Sequence, residues 1–128
     1  MAIRFAIIGG GPAGNSAATH AARLGADVTV IERDVIGGAA NLWDCIPSKA
    51  MIATGSALAY VNRSEHMGVD VAGGEIEIDI DALRGRLRSI KSKLERSLTD
   101  LLESQRVRLL RGTARLAGPN TVVADTTE

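Results

Sequence analysis

At 128 residues the chain can bury one modest core, and its fifteen basic residues match its fifteen acidic ones. That balance offers neither the basic footprint of a nucleic-acid binder nor attraction to an anionic bilayer, and the opening apolar run, Ile3 to Ile8, is too short for a signal core or a membrane span. A cytoplasmic protein with no membrane insertion is therefore expected, and with Cys45 as the sole cysteine no disulfide can close within the chain. His20 and His66 have no ligand-like neighbours at metal spacing, so no metal is expected.

In chain order, the first predicted strand, Ile3 to Ile8, empties into Gly9-Gly-Gly11-Pro-Ala-Gly14, a Gly-x-Gly-x-x-Gly pattern. Gly9 would make the tight turn off the strand, Gly11 would admit a pyrophosphate close to the backbone, and Gly14 would let the next helix pack against the sheet. That helix is predicted from about Pro12 to Leu24. Pro12 suits a first turn, where its missing N–H has no helical partner, and Ala13, Ala17, Ala18, Ala21 and Ala22 keep the helix slim. Its positive N-terminal end and unpaired N–H groups would face phosphates. Val28 to Ile31 reads as the second strand, with Glu32 at its end, eighteen positions beyond Gly14. A carboxylate there could accept both hydroxyls of an adenosine ribose and would repel a 2′-phosphate. Together these features read as a dinucleotide site.

The segment from Arg33 to Lys49 carries paired glycines, Gly37 and Gly38, that mark a turn, and Pro47, which should open or distort the helix beside it. A helix is predicted from Ala50 to about Asn62. Cys45 then lies near a helix start with Lys49 one turn along the same face. Two readings stand at this point: a thiol placed for chemistry, or a lone cysteine buried inertly in the core.

Residues from about Asn62 to Asp79 read as loop, with a short extended alternation from Glu75 to Ile80. A long helix follows from Ile80 to Ser104, its Leu83, Leu87, Ile90, Leu94, Leu98 and Leu101 recurring every three or four residues. That stripe is read as a crossover helix covering its own sheet, in preference to a partner helix or coiled coil. The outer face carries Arg84, Arg86, Arg88, Lys91, Lys93 and Arg96, but Glu95, Asp100 and Glu103 interrupt the run and no aromatic platform accompanies it, so no nucleic-acid partner is expected. Val107 to Leu110 is predicted as a third parallel strand. Thr113 to Leu116 and Thr121 to Ala124, joined by turn residues at 117–120, start an antiparallel meander. The expected fold is an incomplete α/β, Rossmann-like domain over residues 1–128, because one βαβ unit takes about 30 residues and a doubly wound domain needs several more strands.

The pattern Gly37-Gly38-x-Ala40-x-x-x-Asp44-Cys45-Ile46-Pro47-Ser48-Lys49, joined to the glycine fingerprint, resembles the pyridine nucleotide-disulfide oxidoreductases, a family that includes dihydrolipoamide dehydrogenase and glutathione reductase. The resemblance implies FAD bound through Gly9, Gly11, Pro12, Ala13, Gly14, Glu32, Arg33, Gly38 and Ala39. Cys45 and Lys49 would then lie beside the flavin ring and count as both cofactor-binding and catalytic. It also implies NAD(P)H as electron donor, a homodimer when intact, and NAD(P)H and dimerisation domains beyond this chain. Cys45 matches the flavin-proximal cysteine of the family, whereas Ala40 stands where the family has an interchange cysteine and Asp44 where it has glycine. That variant resembles actinobacterial NAD(P)H quinone reductases, so the expected acceptor is a quinone. A dihydrolipoamide dehydrogenase or other disulfide reductase, a non-catalytic dinucleotide-binding module and a purely structural α/β unit are the alternatives.

Overall fold

The computed structural model describes residues 2–69 and 76–126. Three strands, β1 (Arg4–Ile8), β2 (Asp27–Glu32) and the first part of β3 (Arg108–Gly118), form a parallel sheet in the order of the sequence. Helix α1 (Pro12–Arg23) connects β1 to β2, and α3 (Ile80–Ser104) leads into β3. Both crossovers step in the same direction across the sheet. Parallel crossovers are right-handed, so both helices are carried to one face. The core lies there: Val28 and Val30 of β2 alternate inward against Ala18 of α1, Leu102 of α3, Ile36 and Val107. Small side chains on α1, including Ala21 and Ala22, allow this close approach.

The crossover reading of α3 holds for its C-terminal half, where Leu98 packs against the core. One position of the predicted stripe is corrected. Leu102 is the residue sealed in the core, at 1% exposure, and Leu101 is 45% exposed, because Leu98 and Leu102 are four apart and stack on the same helical face. Asp79 caps the helix, its carboxylate accepting from the Ala82 N–H at 2.9 Å. Residues 76–79 carry no strand, contrary to the predicted alternation, and Glu75 lies outside the described residues.

Two further expectations change. The predicted third strand and the first meander strand are one continuous element: β3 pairs with β2 in parallel through Arg111 and, from Gly112 onward, with β4 (Thr121–Thr126) in antiparallel. Gly112 sits at the change of partner because a Cβ there would run into the carbonyl oxygen of Asp125. The second change concerns the helix predicted from Ala50. It begins at Ile46 (α2, Ile46–Arg63) and is preceded without a break by a π-helical turn, Ala40–Cys45. A short 3₁₀ turn, Ser64–Met67, ends it.

On the opposite side of β1 no strand pairs with it among the described residues, and Ile3, Phe5 and Ile8 are exposed there. No described helix is long and apolar enough to cross a membrane.

The glycines of the two helices behave oppositely. A Cβ at Gly14 would collide with the Gly9 carbonyl oxygen, a backbone atom that cannot swing aside, whereas one at Gly85, within α3, would meet nothing within 4 Å. Gly14→Ala is expected to lower stability by about 2–3 kcal/mol, and Gly85→Ala to raise it by about 0.5–1 kcal/mol through helix propensity. Urea unfolding of the two variants measures both.

Candidate functional site

The glycine loop is built around the peptide groups of Gly10. Its N–H donates to a carboxylate oxygen of Glu32 at 2.7 Å. Its carbonyl accepts from the Gly37 N–H at 2.7 Å and from the side-chain amide of Asn15 at 3.0 Å. The second Glu32 oxygen accepts from the Asp34 N–H at 2.8 Å, so both ends of this carboxylate are oriented by backbone. Gly9 turns the chain at φ +103°, a conformation that excludes most side chains, and its N–H donates to the Ile31 carbonyl at 2.8 Å. The tight turn predicted for Gly9 and the close helix packing predicted for Gly14 are thus both present.

Gly11 differs from its neighbours. Nothing lies within 4 Å of the position a Cβ would take, so the space in front of it is open, and its carbonyl starts α1 by accepting from the Asn15 N–H at 2.9 Å. Pro12 and Ala13, both exposed, form the first turn beside that opening. Helix α1 has no side-chain cap and no acidic residue in its first turn, which leaves its N–H groups and positive end toward the opening uncompensated. Gly38, at φ +68°, leans on this loop so closely that a Cβ on it would be 2.7 Å from the Gly11 Cα. Arg33 is exposed. With Gly9, Glu32, Gly112 and Thr113 it lines a small cavity of about 180 Å³.

Ala39, in helical conformation, leads from this loop into the π turn, and Ala40 and Cys45 are its first and last residues. Pro47 gives a physical reason for the wide turn. An α-helical path would ask residue 47 for an N–H to satisfy the carbonyl four positions back, and proline has none and would clash with that carbonyl, so regular α-helical bonding is interrupted where the wide turn ends. The hydroxyl of Ser48 adds a donor in the same place, 2.6 Å from the Asp44 carbonyl and 3.1 Å from that of Cys45. The turn is fastened to α3 by Trp43, whose ring centre lies 3.0 Å from the Lys91 ammonium. Cys45 is an exposed free thiol, outside the core of this chain, and Lys49 is exposed one helical turn further on.

The structure therefore brings Gly9, Gly11, Pro12, Ala13, Gly14, Glu32 and Gly38 to one loop cluster, with Ala39 at its exit. Cys45 and Lys49 stand on the helical segment that leaves it. The family model for pyridine nucleotide-disulphide oxidoreductase matches residues 3–128. The chain belongs to this family. Dihydrolipoyl dehydrogenase of Rhizobium etli is 32% identical over 117 residues, 91% of this chain and 24% of that protein. NAD(P)H dehydrogenase (quinone) of Mycobacterium tuberculosis is 35% identical over 119 residues, again 91% and 24%. Among solved structures, LpdA from Mycobacterium tuberculosis superposes with a TM-score of 0.77 at 32% identity, covering 91% of this chain and 25% of that one. The chain thus spans about a quarter of the length of the pyridine nucleotide-disulphide oxidoreductases it matches.

Sequence reasoning had no place for Asn15 or for the Gly37 N–H, although both hold the loop. The available signal was a polar amide on the otherwise alanine-rich face of α1, directly after the last fingerprint glycine. Removal of the Glu32 carboxylate leaves the buried Gly10 N–H without its acceptor, so Glu32→Ala is expected to destabilise the chain by about 1.5–3 kcal/mol. Urea unfolding with Glu32→Gln as the conservative control measures the loss.

Proposed function

We propose that residues 1–128 form the N-terminal part of an FAD-binding domain in a longer, homodimeric, cytoplasmic oxidoreductase that takes electrons from NAD(P)H and delivers them to a quinone. The cofactor half of this reading is supported by how the loop fits an adenosine diphosphate moiety. Open space at Gly11 and the uncapped start of α1 suit the pyrophosphate. Glu32 keeps lone pairs for ribose hydroxyls, since each of its oxygens accepts only one bond from the chain. The uncovered edge of β1 is in keeping with further strands of the same domain.

The acceptor half rests on one observation: Ala40 and Cys45 bound the π turn, and Cys45 is the only thiol in the chain. Reduction of a disulfide substrate needs a protein dithiol that closes to a disulfide as the substrate opens. This chain supplies one thiol, so no such dithiol forms within it. A flavin bound here would supply hydride acceptance from the nicotinamide and electron delivery to the acceptor. The chain's own residues would orient it: Glu32 and the Gly11 N–H hold the adenosine diphosphate, Lys49 offers a positive charge near the ring, and Cys45 contacts the ring without exchanging disulfides. The similarity to dihydrolipoyl dehydrogenases at comparable identity favours lipoamide as the second reading. A non-catalytic dinucleotide module is a third.

Three measurements follow. Calorimetric titration should find FAD bound about one to two orders of magnitude more weakly by Glu32→Ala than by the parent, the equivalent of one charge-assisted hydrogen bond of roughly 1.5–3 kcal/mol. Residues 1–128 alone should show weak FAD binding at best and no sustained NAD(P)H oxidation, whereas the longer enzyme turns over; repeated flavin reduction by this chain in stopped flow would contradict that. In the longer enzyme, Cys45→Ser should keep benzoquinone turnover within a few-fold of the parent, with no lipoamide activity in either. A loss beyond about a hundredfold with FAD still bound, roughly 2.7 kcal/mol of transition-state stabilisation, would return the thiol to the mechanism.

A further inference from the structure

The Asn15 side chain is only 7% exposed, yet its carbonyl oxygen has no hydrogen-bond partner. Burying an amide that way is unfavourable unless its other end is needed where it is. The other end faces the Gly10 carbonyl at 3.0 Å, and a carbonyl only accepts, so the group presented to it is the amide NH₂. The Gly37 N–H reaches the same oxygen at 2.7 Å. Two donors therefore fix the direction of one carbonyl.

That direction matters because of the peptide plane. In a trans peptide the C=O of one residue and the N–H of the next point opposite ways, and the chain contains no cis bond among the described residues. Holding the Gly10 carbonyl toward Asn15 and Gly37 turns the Gly11 N–H away from them. Among the described residues the Gly11 N–H donates to no acceptor; Gly38 closes in on one side, where a Cβ on it would lie 3.5 Å from the Gly11 nitrogen, and the side that a Gly11 Cβ would take is open. On the far side of Gly10, the N–H is already committed to Glu32, so the peptide that Asn15 holds is the first one free to meet a ligand.

Resting on the dinucleotide-binding reading above, we infer that Asn15 is a positioning residue for the pyrophosphate. By anchoring the Gly10 carbonyl it aims the Gly11 N–H at the anion, while the ribose is held separately at Glu32. Affinity for a pyrophosphate-bearing ligand therefore depends on Asn15, and affinity for the nucleoside alone does not. A merely structural role would weaken both.

The test titrates the ¹⁵N-labelled full chain with ADP and with adenosine, following the Gly11 amide by NMR, in the parent, Asn15→Leu and Asn15→Ala. Both variants remove the donor without adding charge, and the alanine variant, which suits a helix, decides the matter should the leucine variant fail to fold. In the parent, ADP should shift the Gly11 amide downfield and adenosine should leave it in place. In the variants, ADP affinity should fall at least tenfold while adenosine affinity stays within twofold. Equal ADP affinity in parent and variants, parallel loss of ADP and adenosine, or a Gly11 amide that ADP does not move in the parent would each overturn the inference. A parent that binds neither ligand would instead overturn the dinucleotide reading itself, and the inference with it.

Discussion

The charge-assisted hydrogen bond from the Gly10 N–H to Glu32 is the contact on which the rest of the site depends. It joins the end of β1 to the end of β2 at the point where both strands release the chain. Gly10 has little room of its own: a Cβ there would lie 3.0 Å from Ile36 and 3.2 Å from the Cβ of Glu32. With the amide so placed, the Gly10 carbonyl meets Gly37 and Asn15, Gly38 settles on Gly11, and α1 begins with its first turn uncovered. One residue, Gly10, thereby connects the fingerprint, the acid and the paired glycines, which are far apart in sequence.

The helical segment that leaves this cluster is governed by a different constraint, the missing N–H of Pro47. A π turn runs up to it, and the single Ser48 hydroxyl donor lies 2.6 Å from the Asp44 carbonyl and 3.1 Å from that of Cys45. Regular helix then resumes at once, so Cys45 and Lys49 are carried on a continuous helical element whose first turn is tied to α3 through Trp43 and Lys91. The thiol is thus exposed at the end of the π turn, where regular helix begins.

The sheet explains why one face is finished and the other is not. Two successive right-handed crossovers in the same direction place α1 and α3 on one side, where Val28, Val30, Leu102 and Val107 close the core. A long β3, parallel to β2 at first and antiparallel to β4 afterwards, carries the hairpin away from that core. Arg111, at the change of partner, donates to the Asp34 carbonyl and lies 3.8 Å from Glu95, linking the strand to the loop after Glu32 and to α3. The outer edge of β1 is left with Phe5 47% exposed.

Much of this was legible in the sequence because its causes are local. Gly9 demands a left-handed backbone and Gly14 a close approach to its neighbour, and the alanine spacing of α1 and the alternation of β2 follow from helical and strand periods. The tertiary structure alone decided what depends on groups distant in the chain. Glu32 accepts from Gly10, twenty-two positions away, and no local pattern announces it. Asn15 looks like an ordinary polar residue on a helix until Gly10 and Gly37 converge on it. The merging of two short predicted strands into β3 depends on β2 and β4 arriving on its two halves. Helix α2 starts ahead of the predicted Ala50 because paired glycines and a proline read as breakers one at a time, whereas the chain stays helical through a π turn whose Trp43 meets Lys91 of α3. Local propensity acts through a residue's own backbone and near neighbours; hydrogen-bond partners and burial are set by whichever segments the fold brings together.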